Sequence, residues 1–415
     1  MGRGRPPFRR ASGSNDPATN GNVRGHPAGW RFVDDDTAFV AVLEELEGAD
    51  EYAIDTEFHR EKSYFPHLAL VQIAWSAGVA LIDPLAVDVA PLASIFTGGA
   101  LAVLHAADQD LEVLERACGA VPSRIFDTQV SAGCLGFVSP SLVSLTEALL
   151  GIRLHKGDQL TDWMHRPLPA SQQSYAAGDV AYLLEMHSVL DERLAALGRA
   201  GWASQECAVL LEKDRSPTVP EEAWWRLPHS RQLRGTARSV AQEVAAWRER
   251  RAQRLDVPVR FVLSDLAVTC VAQRPPGDRE ELRRPRGVDA RHLNGSVPDE
   301  LLAAIAKGRS LPSSAVRAPS GPALERLNKP MIALASAYVG QRAADLELDP
   351  AILATRADLL AFFQDVPVGR LTSGWRHELI GAALARLARG QAALAFDGRG
   401  ELVLEERSGT RIDES

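Results

Sequence analysis

The sequence predicts a mixed α/β unit followed by two all-helical blocks, on three observations. Three strand-like runs, "EYAIDTEF", "LALVQIAW" and "GVALIDPL", stand close together after a first helix and give way to alternating strand and helix patterns up to residue 215. From residue 235 onward the apolar residues recur almost wholly at helical spacing. Charge divides along the same line: residues 30–215 carry 12 Lys and Arg against 28 Asp and Glu, a balance of −16, whereas residues 229–320 carry 17 against 10, a balance of +7. An acidic unit alone is poorly suited to broad phosphate binding, and a basic satellite can supply it. Solvated surface charge is the alternative reading of the same counts.

A chain of 415 residues, 46% of them hydrophobic, is long enough for two or three domains with full cores. No uncharged apolar run reaches the ~18 residues of a membrane span. The opening "MGRGRPPFRRASGSNDPATNGNVRGHPAG" is polar, rich in Gly, Pro and Arg, and has no apolar segment of the kind a secretory signal needs. It reads as a disordered basic arm over residues 1–29. Pro6 stands where a myristoylation signal wants Ser or Thr. Cys118, Cys134, Cys207 and Cys270 lie far apart with no C-x-x-C pair, which points to a reducing cytoplasm and away from structural zinc.

In order along the chain, "DDTAFVAVLEELEGA" is a capped amphipathic helix. The short gaps between the three strand-like runs predict an antiparallel meander. "PLASIFTG" is a helix, "LAVLHAA" a buried strand, "QDLEVLERACG" a helix stopped at Gly119, and "RIFDTQ" a short strand opening a further helix. "SLVSLTEALLGI" and "SQQSYAAGDVAYLLEMHSVLDERLAALG" are helical by period, the second read as one long helix. Strands first and then alternation with helices give a mixed sheet covered on both faces. Residues 216–228 read as a Pro- and Trp-bearing connector. The basic block, residues 229–309, holds helices in "TARSVAQEVAAWRERRAQRLD", "VLSDLAVTCVAQRP", "REELRRPRG" and "PDELLAAIAKG", and "GRSLPSSAVRAPSGP" is a linker by composition. A second helical block covers residues 322–395. The end, "ALAFDGRGELVLEE", alternates around Asp-Gly like a small hairpin, within and beyond a boundary that leaves residues 396–415 as a tail.

The chemistry concentrates in "EYAIDTEFHRE". Side chains two apart on a strand share a face, so Asp55 and Glu57 sit side by side at the end of an apolar strand. Like charges at that distance repel and raise each other's pKa. Asp110 falls at the junction of the buried strand "LAVLHAA" and the next helix, and Tyr175 and Asp179, four apart, share one face of a helix beside its apolar stripe. Four carboxylates from three distant segments are best stabilised together by hard divalent cations, Mg²⁺ or Mn²⁺, which take oxygen ligands. Two such ions ~3.5–4 Å apart can clamp the attacking and leaving oxygens of a phosphodiester displacement. The Tyr175 hydroxyl, with a pKa near ~10, is a poor base but can orient an attacking water.

In this order "DTE", "HAADQDLEVL" and "YAAGDVAYLL" resemble the three motifs of the DEDD exonuclease superfamily, tyrosine subtype. The intervening "FDTQVSAGCLGF" and "SLTEALLGIRLHKGDQLTDWMHRPL" resemble the ribonuclease D family in particular, over about residues 30–200. The resemblance implies an RNase H-like fold and metal-dependent 3′→5′ hydrolysis releasing 5′-mononucleotides. Carried over residue by residue, it makes Asp55, Glu57, Asp110 and Asp179 ligands of two divalent ions, with Tyr175 completing the catalytic set. In Asp108-Gln109-Asp110 it is Asp110, preceding "LEVL", that matches the family carboxylate. "VAAWRERRAQRLDVPVRFVLSDLAVTCVAQRPP" is similar to the helicase-and-RNase-D C-terminal (HRDC) domain, and "LTSGWRHELIG" to a second, divergent copy, both implying nucleic-acid contact.

Other residues admit two readings each. Thr56 and Phe58 follow the catalytic strand closely and suit backbone and aromatic contact with a terminal nucleotide, or core packing. His105 suits a substrate-side role or a satisfied core histidine. His155 and Lys156 lie in a loop-like stretch that can reach a substrate phosphate, which Asp162 and Trp163 would pin. Asp127 reads as a helix cap that also borders the site, and Gln72 as a buried, hydrogen-bonded strand residue or a catalyst. Trp247 and Arg248 read as core and helix surface, or as direct nucleic-acid contacts. Three functions remain open on these residues alone: an exoribonuclease trimming RNA 3′ ends, tRNA precursors above all; a 3′→5′ DNA exonuclease; and an RNA-binding scaffold on a vestigial nuclease fold. Oligomeric state is open as well.

Overall fold

The structure, a computed structural model, describes residues 29–154, 161–312, 315–316, 329–364 and 369–407. Its N-terminal part is built on six strands, β1 (Arg31–Val33), β2 (Glu51–His59), β3 (His67–Trp75), β4 (Gly78–Ile82), β5 (Leu101–Leu104) and β6 (Ile125–Asp127), in the order β1-β4-β3-β2-β5-β6. The expected meander is present, with β2–β3 and β3–β4 antiparallel. β5 and β6 add in parallel on one side and β1 in parallel on the other, which makes the sheet mixed. β1 is three residues long, too short to show a period in the sequence.

Strand alternation sorts the side chains of β2 onto two cores. Tyr52 and Ile54 face α1 (Asp36–Glu47), α2 (Leu92–Gly98) and α3 (Asp108–Cys118). Ala53 faces the other way, with Leu70, Ala74, Leu81 and Val103, under α6 (Ala170–Ala181) and α7 (Leu183–Ala196). By the same alternation Asp55 and Glu57 lie on the α6 side and Thr56 on the α3 side. The single long helix expected from Ser171 breaks at Tyr182, where φ is −116° and ψ 2°. The break lets α6 lie across β2, β3 and β4 while α7 packs on β5 and on α4 (Thr128–Gly133). α5 (Leu142–Leu150) packs on α7, and α8 (Ala200–Leu211), which the sequence reading did not separate, packs on β6 and α4.

The basic block is a helical bundle of α9 (Gly235–Leu255), α10 (Val259–Val262), α11 (Asp265–Gln273) and α12 (Val297–Ser310). The expected helix in "REELRRPRG" is reduced to one 3₁₀ turn, Glu281–Arg283, bounded by Pro285. The connector before the bundle belongs to its core: the 3₁₀ turn Pro220–Arg226 packs on α9, and Trp224 is fully enclosed with Val240, Val244 and Leu263. The C-terminal block comprises α13 (Lys329–Asp345), α14 (Pro350–Leu353), α15 (Arg356–Phe363) and a helical run through Gly374–Arg376, the π turn His377–Gly381 and Ala382–Ala388. It is not all helical. A hairpin of β7 (Ala392–Phe396) and β8 (Leu402–Glu406) closes it, so residues 402–406, expected in a tail, pair with 392–396.

Both helical blocks are fastened to the first unit by charged groups. Asp256, left-handed at the end of α9 (φ 49°), accepts hydrogen bonds from the N–H groups of Tyr64 (3.1 Å) and Phe65 (3.0 Å) and lies 2.6 Å from Nε2 of His67. Tyr64 in turn donates its hydroxyl to Glu249 at 2.5 Å. On the other side Glu206 of α8, 6% exposed, accepts from Arg370 at 2.6 Å and from Arg376. Trp202 stacks on Trp375 with ring centres 4.7 Å apart. The approach is close enough that a Cβ on Gly136, at φ +91°, would lie 2.8 Å from the Glu347 carbonyl oxygen.

Candidate active site

β2, α3 and α6 bring the expected acids together. Single carboxylate oxygens of Asp55, Glu57 and Asp179 lie within 4.8 Å of one another. Asp110, in the first turn of α3, faces the same cluster, since its charge raises the pKa of Asp55, Glu57 and Asp179. Its Oδ1 is held by Thr56, whose hydroxyl donates at 2.5 Å and whose N–H donates at 3.2 Å. Tyr175 donates its hydroxyl to Asp179 one helical turn away. The ring of Tyr175 packs against Trp163, with centres 6.1 Å apart.

Burial is the first cause of the site's electrostatics. It raises Asp110 to about 6, Asp179 to about 7 and Glu57 to about 8, and lifts Asp55 well above the usual carboxylate range. Mutual repulsion adds to burial at Asp55, Glu57 and Asp179. The hydroxyls of Thr56 and Tyr175 pull Asp110 and Asp179 back down. None of the groups that chiefly set these values is basic. Four acids that cannot all ionise unaided, offering only oxygen donors at short range, fit a hard divalent cation.

The predicted substrate contacts fare differently. Thr56 is 5% exposed and its donors go to Asp110, so it supports a carboxylate and does not offer its side chain to a nucleotide. His105 lies 2.9 Å through Nδ1 from the Thr128 hydroxyl, which ties it to α4. Phe58, half-buried, follows a bulge at Glu57/Phe58 near the end of β2. His155 and Lys156 lie outside the described residues.

Several supporting groups carried little sequence signal. Asp127, 1% exposed, accepts from four backbone N–H groups, those of Ala106 (3.2 Å), Ala107 (2.8 Å), Gln129 (2.8 Å) and Val130 (3.1 Å). It thus caps α4, as expected, and also fixes the turn entering α3, where Ala106 is held at φ 58°. Arg166 donates to Asp83 at 2.5 and 2.7 Å and to the Ala69 carbonyl at 2.6 Å, pinning the segment before α6 to β3. Trp163, in the same segment, is buried. A cavity of about 790 Å³ opens next to α3 between the first unit and the basic bundle, lined by Arg60, Phe65, Arg116, Arg226 and Arg260 among others, and none of the four carboxylates lines it.

Two family models match the chain, one described as a 3′-5′ exonuclease over residues 30–195 and one as an HRDC domain over residues 237–305. Ribonuclease D of Acidiphilium cryptum is 36% identical over 378 residues, covering 89% of this chain and 95% of that protein. The chain belongs to the ribonuclease D family. The ribonuclease D of a Jannaschia species is also 36% identical, over 85% of this chain and 93% of the relative. Among solved structures, Escherichia coli RNase D, described as an exoribonuclease involved in structured RNA processing, superposes with a TM-score of 0.77 at 30% identity, over 87% of this chain and 99% of that one. As a ribonuclease D with a 3′-5′ exonuclease domain, the protein is a hydrolytic 3′→5′ exoribonuclease dependent on a divalent metal. No helix among the described residues is long and apolar enough to cross a membrane.

Proposed function

We propose that this ribonuclease D trims the 3′ ends of structured RNAs, tRNA precursors foremost, with Asp55, Glu57, Asp110 and Asp179 holding two Mg²⁺ or Mn²⁺ ions. The observation that carries the reading is the convergence of Asp55, Glu57 and Asp179 within 4.8 Å. The bound ions supply charge neutralisation and a water of lowered pKa. The chain's own residues do the rest. Thr56 keeps Asp110 ionised and oriented. The Tyr175 hydroxyl, already committed to Asp179, is placed to orient the attacking water, and Trp163 fixes its ring. Phe58 stacks against the terminal nucleotide. The basic bundle and the C-terminal block, read as a second divergent HRDC copy, supply RNA affinity. The four free cysteines support work in a reducing cytoplasm.

The test is a 5′-labelled single-stranded RNA, run beside the matched DNA strand and a tRNA precursor, with Mg²⁺, Mn²⁺ or EDTA and with the Asp55→Ala variant. A metal-dependent ladder from the RNA 3′ end that is missing in Asp55→Ala, with the precursor trimmed to its mature end, is the expected result. Retained hydrolysis in Asp55→Ala would remove that residue from the site, and DNA degraded as fast as RNA would overturn the substrate assignment.

A further inference from the structure

Gln72 on β3 is directly opposite Asp55 on β2 in the antiparallel register. Opposed residues of an antiparallel pair put their side chains on one face with Cβ atoms roughly 4.5–5.5 Å apart. Gln72 is fully buried, yet among the described residues neither its Oε1 nor its Nε2 has a hydrogen-bond partner. Around it the same face is apolar, with Leu70, Ala74 and Leu81 in the sheet and Ala176, Ala177 and Val180 of α6 above. The sequence leads one to expect a hydrogen-bonded strand residue; the burial is there and the bonds are not.

An unmade pair of amide bonds in such surroundings is destabilising, and an apolar side chain of similar size would fit the slab better. Glutamine at this position is explained if its partner forms only in the loaded site. Asp55 is the polar neighbour across the strand pair, and the hydrogen bond that supports it here is a backbone one, from Thr56. We infer that Gln72 is a positioning residue, its Nε2 donating to the Asp55 carboxylate when a divalent ion binds and fixing the rotamer in which Asp55 presents its other oxygen to the metal. Outer hydrogen bonds of this kind orient a ligand without touching the ion. The inference rests on the metal-site reading above.

The experiment uses the full chain, wild type against Gln72→Met and Gln72→Leu, with Mn²⁺ alone titrated by calorimetry, thermal unfolding in EDTA, and kinetics on a single-stranded RNA. The assignment expects Mn²⁺ affinity to fall about tenfold or more and kcat to fall with KM for RNA unchanged. It also expects an unfolding temperature in EDTA equal to or above wild type, because an unsatisfied amide has been removed. Unchanged Mn²⁺ affinity in either folded variant overturns the assignment and leaves the metal site standing. A drop in unfolding temperature in EDTA for both variants also overturns it, since the amide would then be bonded in the metal-free protein. Failure of wild type itself to take up Mn²⁺ would overturn the metal-site reading and this inference with it.

Discussion

Replacing Glu57 by Gln separates stability from function at this site. Glu57 is raised from 4.5 to about 8, by burial first and then by Asp179 and Asp110. Between those two pH values the folded, metal-free protein keeps a proton that the unfolded chain has released. Folding is therefore favoured by low pH, and this contribution is lost as pH rises toward 8. Each pH unit in that window is worth about 1.4 kcal/mol, so from pH 5 to 8 the ceiling is about 4 kcal/mol. Solvent access to a half-buried side chain, and relaxation of its neighbours, reduce this to about 1–2 kcal/mol. Glu57→Gln keeps the shape and removes the charge. In EDTA it should match wild type at pH 5 and exceed it by about 1–2 kcal/mol at pH 8, measured by urea unfolding. With Mg²⁺ or Mn²⁺ it should fail to hydrolyse RNA and should gain little stability from the metal. Equal destabilisation at both pH values would refute the reasoning, because Glu57 would then be a structural hydrogen-bonding group and not an acid held against repulsion.

Three further outcomes are expected. Thr56→Val removes the hydroxyl on Asp110 but keeps the volume; a bond to a charged acceptor is worth about 1.5–3 kcal/mol, so kcat/KM should drop about tenfold or more. The acid limb of its pH profile should move upward, since the hydroxyl holds Asp110 down. Tyr175→Phe should lower kcat with little change in the KM for RNA, and in metal-free protein should raise the Asp179 pKa above about 7, read by NMR titration. Arg376→Met leaves buried Glu206 with Arg370 alone; a hydrogen bond to a charged group is worth about 1.5–3 kcal/mol, so unfolding should shift by about that much while the initial hydrolysis rate at low temperature stays near wild type.

Much of the site was legible because its signal is local. Two acids at i, i+2 on an apolar strand, and a Tyr and an Asp at i, i+4, announce their geometry through the periods of strand and helix. Asp127 announced itself as a cap by preceding a helix. What long-range packing decides was not legible. The helical period runs through Tyr182 and Leu183 unbroken, so the turn between α6 and α7 left no mark. Trp224 sits among prolines and reads as linker, although the bundle encloses it. Thr56 admitted both nucleotide contact and packing because nothing nearby in the chain shows that Asp110, 54 residues on, takes both its donors. Asp256 and Glu206 look like ordinary surface acids in a helix, and their partners lie roughly 160 to 190 residues away.

The buried anion at Glu206 bears on how such a chain can be cut and recombined. Its neighbour on α8, Cys207, receives the N–H of Asp127 at 3.3 Å, so the helix that meets the C-terminal block also touches the strand leading into α4. A truncated protein ending before Arg370 would keep Glu206 facing an apolar wound without either guanidinium, and would uncover the Trp202 ring. The three parts are strung in order like interchangeable cassettes, but they are not interchangeable. A helical block borrowed from a distant relative has to bring the matching arginines with it, or the graft leaves Glu206 buried without its two guanidinium partners.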